Sequence, residues 1–222
     1  MSKAARKFIG VRIDIESKSS TQIKFGSYRY CEDPDFEVLI ISYSPIWRYP
    51  GGASKLGAVR RVDLYDQASV DQFARIIQDP RFQKHAFNAN FERVGLSKWL
   101  GMPNGEFIDP LNWHCTAIRA NVNGVFGTLG DVGGAVRAVV QKDTKGKALI
   151  RFFCVPMSER DQKTANNSCG CQVFHLPHVH PEQFAEFEMY CDQDVVSEAM
   201  VFASFPDVPA HVQAEYEADQ RI

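Results

Sequence analysis

The chain has 222 residues, 45% of them hydrophobic and 23% charged, and its 25 basic and 27 acidic residues give a net charge of −2. This composition is that of an ordinary globular protein, which excludes disordered, collagen-like and disulfide-scaffold chains. The charge balance excludes a uniformly basic surface but not a local acidic site that binds cations. No run approaches the ~18 apolar residues that span a bilayer, and the basic segment 1–7 lacks a following signal-peptide core. We therefore expect a cytoplasmic protein with no membrane partner.

The first third of the chain predicts an antiparallel meander of strands. Apolar and polar residues alternate from Phe8 to Glu16, which is typical of a half-buried strand. The run 36–43 is rich in β-branched and aromatic residues and predicts a strong strand. Weaker strands are expected over 23–30 and 60–65.

Helices are predicted in the rest of the chain. Apolar residues at helical spacing from Val70 onward predict a helix that ends at Asp79 and Pro80. A short strand at 84–87 leads into a helix at 89–100. Further helices are expected near 110–121, 129–140, 147–154 and 181–205, and a long polar functional loop over 156–177. This order predicts an α/β fold in which helices flank a mixed sheet.

Six scattered cysteines indicate free thiols in a reducing compartment. Cys169 and Cys171, followed by His175, His178 and His180, offer an alternative reading as structural zinc ligands. A single residue between the cysteines differs from the two to four of common zinc sites. A polar loop is therefore the favoured interpretation.

Two carboxylates lie close together on the first predicted strand. Asp14 and Glu16 are two positions apart, so both side chains point to the same face of a strand. Mg²⁺ in proteins is typically held by one or two such carboxylates together with substrate phosphate oxygens. The alternative is a solvated strand end with Arg12 as an ion-pair partner.

The last long predicted helix carries a second acidic candidate. Tyr190 and Asp194 share its apolar face because residues four apart are neighbours on a helix. A carboxylate on that face needs a partner or a metal ion, although a helix-rim aspartate beside a basic group is the alternative. Asp192 is expected to point away into solvent.

A third candidate lies at a strand-to-helix junction. Asn88 is a plausible N-cap, and Glu92 falls in the first helical turn, where the helix dipole favours a carboxylate. These preferences alone explain both residues. The junction also places an acid at the sheet edge where α/β proteins bind ligands.

The three motifs together resemble those of DEDD-superfamily 3′–5′ exonucleases. They read D-x-E at Asp14, N-x-x-F-E at Asn88 and Y-x-x-x-D at Tyr190. The tyrosine variant and wider stretches such as "HAFNANFERVGLSKWLG" and "YCDQDV" are similar to the proofreading domains of phage-type family A DNA polymerases. The likeness runs from about residue 8 to 204. The family commonly has aspartate at the position of Glu92, although its phage-type branch often carries glutamate.

The resemblance implies an RNase H-like fold and two divalent cations, Mg²⁺ or Mn²⁺, about 4 Å apart. Asp14, Glu16 and Asp194 would hold one cation, and Asp14 would bridge to a second that is bound by Glu92. Tyr190 would orient the attacking water, since its phenol has an ordinary pKa near 10. The substrate would be a DNA 3′ end, single-stranded or frayed, in a bacterial or phage-infected cell. Asn88 and Phe91 would shape the substrate pocket.

Basic side chains outside the acidic pocket are the candidates for phosphate binding. Lys147 and Arg151 are the first choice, and an ordinary solvated surface is the alternative. The other candidates are Arg60, Arg61, Lys142, Lys145, Arg160 and Lys163.

The resemblance also implies a division of the chain. Residues 1–205 are expected to form the exonuclease domain, and 206–222 a linker or the start of a covalently linked polymerase domain. Two alternatives stay open: an RNA-trimming ribonuclease of the same superfamily, and a nucleic-acid-binding scaffold whose site is silenced by Glu92.

Overall fold

A computed structural model describes residues 6–138, 144–165 and 173–221. Within them, six strands form one mixed sheet in the order β3-β2-β1-β5-β6, with β4 also paired to β2. The strands are β1 Lys7–Lys18, β2 Glu37–Arg48, β3 Ser54–Leu56, β4 Arg60–Arg61, β5 Gln83–Ala86 and β6 Trp113–Cys115.

The sheet has the pairing of an RNase H-like fold, as predicted. The long strands β1 and β2 are antiparallel, with Asp14 opposite Ser42, whereas β5 and β6 run parallel to their neighbours. Both β3 and β4 pair with β2, so the first third of the chain is not a simple meander.

Helices accompany the sheet throughout the described residues. They are α1 Ser27–Cys31, α2 Gln67–Gln78, α3 Ala89–Trp99, α4 Thr116–Val122, α5 Leu129–Ala135, α6 Thr144–Cys154, α7 Glu159–Ala165, α8 Pro181–Ala203 and α9 Ala210–Asp219. None of these helices is both long and apolar enough to cross a membrane.

The two faces of β1 have different neighbours. Val11, Ile13 and Ile15 pack into a core shared with α2, α3 and α9. The opposite face, which carries Asp14 and Glu16, is covered by α8 and α6. Because both faces are covered, Glu16 is only 8% exposed, and the interpretation as a solvated strand end is wrong.

Several predicted elements differ in the structure, two of them in length: the strand expected over 60–65 is only β4, and the helix expected over 129–140 ends with α5 at Ala135. The segment predicted as a strand over 23–30 forms a 3₁₀ turn at Ile23–Phe25 and then α1. Gly26 between them has φ 99°, which is incompatible with a continuous strand. The helix predicted over 110–121 is preceded by β6, and α7 lies inside the segment predicted as a loop.

The C-terminal helix α9 packs onto the rest of the fold. Tyr216 is buried in the main core, and the side chain of Gln213 donates to the backbone oxygen of Trp113 at 2.8 Å. Arg93, buried in α3, donates to the backbone oxygen of Gln220 at 3.1 Å. The segment predicted as a linker or polymerase start is thus a packed helix over most of its described length.

Candidate functional site

Helix α8 lies across the acidic face of β1, so the motif of Tyr190 and Asp194 lies beside the motif of Asp14 and Glu16. Phe187, Cys191 and Val195 of α8 are buried. The Cys191 thiol lies 3.2 Å from Oδ2 of Asp14, to which it donates. The sequence indicated Cys191 only as an apolar residue, because a thiol packs like a small hydrophobe.

Tyr190 and Asp194 reach the same place from α8. The Tyr190 hydroxyl and the Asp194 carboxylate share a hydrogen bond. Burial, Asp194 and Glu16 raise the pKa of Tyr190 above its ordinary value, so its phenol stays protonated at neutral pH. A neutral phenol can orient a water molecule by hydrogen bonding but is a poor general base.

Glu92 approaches from the first turn of α3. Its side chain is buried, at 5% exposure, and its Oε2 has no hydrogen-bond partner in the described part of the chain. Burial and the Asp14 carboxylate raise its pKa well above the ordinary value. Asn88 occupies the N-cap position, as predicted, but its side chain makes no capping hydrogen bond.

The four carboxylates lie within electrostatic reach of one another. Burial and then Asp194 raise the pKa of Asp14. Burial, Asp14, Asp194 and Glu92 raise the pKa of Glu16. A buried group of like charges is unfavourable unless it is protonated or paired with cations.

The donor set is that of a hard divalent cation. Mg²⁺ and Mn²⁺ prefer carboxylate oxygens, and Oε2 of Glu92, which has no hydrogen-bond partner within the described residues, would be available as such a ligand. Within the described ranges, no three His, Cys, Asp or Glu side chains already converge closely enough to hold one ion. The chemistry of the residues fits the expected cations, and binding would require their side chains to draw together.

A buried ion pair between Arg12 and Glu198 lies next to the acidic residues of β1. Arg12, two residues before Asp14, donates to both carboxylate oxygens of Glu198 at 2.7 and 2.6 Å. Thr116 of α4 also donates to Glu198. Arg12 therefore pairs with Glu198 and not with the acids of its own strand. The pair connects β1 to α8, the two elements that carry most of the carboxylates.

A groove of about 590 Å³ opens beside the carboxylates. Phe91 of α3 and Ile150 of α6 line it together with Glu16. The other lining residues are Ile15, Ser17, Ser19, Ser20, Thr21, Gln22, Ile23, Tyr30, Cys154, Val155 and Pro156. Asn88, Lys147 and Arg151 are not among them, and the last two are exposed on α6.

Two polar residues have different neighbours from those expected. Asp192 does not point into solvent: it accepts hydrogen bonds from Ser42 at 2.7 Å and from Arg61. Arg61 also pairs with Glu188 at 2.7 Å, which makes it a structural residue of the β4–α8 contact. Sequence spacing on α8 could not reveal this contact, because β4 lies far away in the chain.

The remaining basic and cysteine candidates have varied surroundings. Arg160 and Lys163 lie on α7 around a shallow exposed hollow, and Lys142 lies outside the described residues. The cysteines within the described ranges are free, as predicted, and they are also buried: Cys31, Cys115, Cys154 and Cys191. Cys169 and Cys171 fall outside those ranges, and His175 stacks on Phe152 with ring centroids 3.7 Å apart.

Comparison with known proteins shows that the chain is similar to part of a phage DNA polymerase. It is 36% identical over 191 residues, 85% of its length, to the DNA polymerase of Bacillus phage SP02. The chain spans about a quarter (26%) of that protein's length. No family model matches the chain. The comparison thus shows that this chain is related to part of a phage DNA polymerase.

Proposed function

We propose that the chain is a divalent-metal-dependent 3′–5′ exonuclease that removes nucleoside 5′-monophosphates from DNA 3′ ends. The observation that carries the proposal is the carboxylate cluster of the buried Glu16 and Glu92 and the half-buried Asp14 and Asp194, with Tyr190 beside it. The likeness to part of a phage DNA polymerase supports DNA as the substrate. Proofreading for a covalently linked polymerase domain is the corresponding role.

The four carboxylates would hold two divalent cations, Mg²⁺ or Mn²⁺. Bound cations would supply an activated water and would stabilise the leaving 3′ oxygen. The Asp14 carboxylate raises the pKa values of both Glu16 and Glu92. In line with the resemblance, Asp14, Glu16 and Asp194 would hold one cation, and Asp14 together with Glu92 would hold the other.

Tyr190 would orient the attacking water through its protonated hydroxyl. The groove beside the cluster has room for a terminal nucleotide and an aromatic wall in Phe91 and Tyr30. Aromatic rings bind unpaired bases by stacking, without strong sequence preference. This arrangement favours a single-stranded or frayed 3′ end, with Lys147 and Arg151 of α6 as phosphate contacts.

The test is the release of mononucleotides from 3′-labelled single-stranded DNA with Mg²⁺ or Mn²⁺, with EDTA as a control. Wild type should release labelled mononucleotide only when the cation is present, and Asp14→Ala should abolish release. Undiminished hydrolysis by Asp14→Ala would refute the assigned site, and complete inactivity of wild type would favour a binding scaffold.

Cleavage rates on matched DNA and RNA oligonucleotides then distinguish a DNA exonuclease from an RNA-trimming ribonuclease. A preference for DNA is expected. Faster cleavage of RNA would replace the proofreading role by RNA trimming.

A further inference from the structure

The ring of Tyr190 lies against a position of α6 that has no room for a side chain. Gly146 is buried in α6, and a Cβ added there would lie 2.1 Å from Cε2 and 2.3 Å from Cδ2 of Tyr190. Non-bonded carbon atoms are most favourably about 3.5–4.0 Å apart. A methyl group at residue 146 would therefore displace the ring, or α6, by more than about 1 Å.

A neighbouring residue of α8 also restricts the position of the Tyr190 ring. Phe187, one turn before it on α8, stacks on Tyr190 with centroids 6.4 Å apart and an interplanar angle of 18°. The hydroxyl bonds to Asp194 and lies within the electrostatic reach of Glu16 and Asp14. Because a tyrosine ring rotates about only two side-chain bonds, a displaced ring carries its hydroxyl away from the carboxylates.

We propose that Gly146 is a positioning residue that holds the Tyr190 hydroxyl at the carboxylate cluster. This inference rests on the exonuclease function proposed above. Because Gly146 has no side chain, α6 can approach α8 closely enough to fix the ring of Tyr190. Helix α6 also carries Lys147 and Arg151 on its exposed face. One helix would therefore fix the position of the Tyr190 hydroxyl and provide the proposed phosphate contacts.

The decisive experiment is a double-mutant cycle of Gly146→Ala and Tyr190→Phe in the DNA exonuclease assay. Gly146→Ala should lower kcat on the order of 10²-fold, which is the cost of a misplacement of about 1 Å, with KM nearly unchanged. In the Tyr190→Phe background the hydroxyl is already absent, so Gly146→Ala should lower kcat no further. Wild-type kcat in Gly146→Ala, or losses that multiply in the double variant, would overturn the inference.

Gly134→Ala is the matched control. Gly134 lies in helix α5, and an added Cβ there meets no atom within 4 Å, so this variant should keep full activity. Alanine favours a helix by about 1 kcal/mol over glycine, so Gly146→Ala has no intrinsic reason to unfold α6. Loss of activity in both glycine variants would overturn the specific contact with Tyr190.

Unfolding measurements keep the inference testable if Gly146→Ala folds poorly. Gly146→Ala should lower the free energy of unfolding in wild type but not in the Tyr190→Ala background, because the ring that clashes is gone there. A loss that is equally large in the Tyr190→Ala background would place the clash elsewhere and overturn the inference. Wild type without any exonuclease activity would instead refute the proposed function, whereas an active wild type with an additive cycle would refute only the role of Gly146.

Discussion

Glu198→Gln should destabilise the fold because it breaks the buried ion pair between α8 and β1. The side chains of Arg12 and Glu198 are only 8% and 3% exposed, so the guanidinium would lose its charge partner inside the protein. Arg12 also lies over the ring of Phe202, 4.1 Å from its centroid, which restricts its escape to solvent. The substitution keeps the shape of residue 198, removes its charge and replaces one acceptor oxygen by an NH₂ group.

The magnitude follows from the contacts that are lost. Arg12 makes two charge-assisted hydrogen bonds to Glu198, and each such bond contributes about 1.5–3 kcal/mol. Glutamine can still accept one of them. Removal of one partner of a buried pair costs about 3–5 kcal/mol, so we expect the free energy of unfolding to fall by about 3 kcal/mol, at the low end of this range.

Urea unfolding followed by tryptophan fluorescence measures this loss, since Trp113 is fully buried. The matched control is Glu37→Gln, because the Glu37 side chain in the pair with Lys18 is 60% exposed and such pairs contribute about 0–1 kcal/mol. The double variant Arg12→Met/Glu198→Leu should recover most of the loss, since apolar replacement of a buried pair is often neutral. A loss in Glu198→Gln no larger than that in Glu37→Gln would refute this reasoning.

Three further predictions follow from the acidic cluster, α9 and α6. The raised pKa values of the cluster carboxylates mean that the folded chain binds more protons than the unfolded chain. Without cations, the stability that these carboxyl groups contribute is therefore lost as the pH rises above about 4.5. Glu92→Gln should therefore raise the melting temperature of the cation-free protein increasingly from pH 5 to pH 8, and Mg²⁺ should stabilise wild type more than this variant; a pH-independent difference would contradict it. Tyr216→Ala should lower the free energy of unfolding by about 3–5 kcal/mol in urea because it opens a cavity under α9; an unchanged value would show that α9 is a dispensable linker. Lys147→Ala/Arg151→Ala should raise KM for DNA and lower its salt dependence, whereas Arg75→Ala, at an exposed position of α2, should not. Equal effects of the two variants would show that α6 has no specific role in DNA binding.

The sheet and the long helices could be predicted because each has a local signal. Alternating residues in β1 and β2 and helical spacing in α2, α3 and α8 reflect one core that these elements share. The mistaken strand over 23–30 has strand-forming tyrosines, but Gly26 with positive φ turns the chain and directs Tyr30 into the core from a helix. Local preference gave way there to turn geometry.

The contacts of the candidate site were predictable only in part. Strand and helix periods predicted that Asp14 and Glu16 share one face and that Tyr190 and Asp194 share another, whereas Glu92 became a candidate through its place at a strand–helix junction and through the resemblance. The thiol of Cys191 on Asp14 and the ring of Tyr190 against Gly146 depend on the packing of distant segments. No spacing within a single element encodes such contacts.

The most direct test of the central claim is a crystal structure of the protein soaked with Mn²⁺ and a deoxynucleoside 5′-monophosphate. Anomalous density is expected beside Asp14, bound also by Glu16 and Asp194 or by Glu92, with the base in the groove against Phe91. Catalytically active crystals that hold Mn²⁺ away from all four carboxylates would contradict the assignment of this cluster as the nuclease centre.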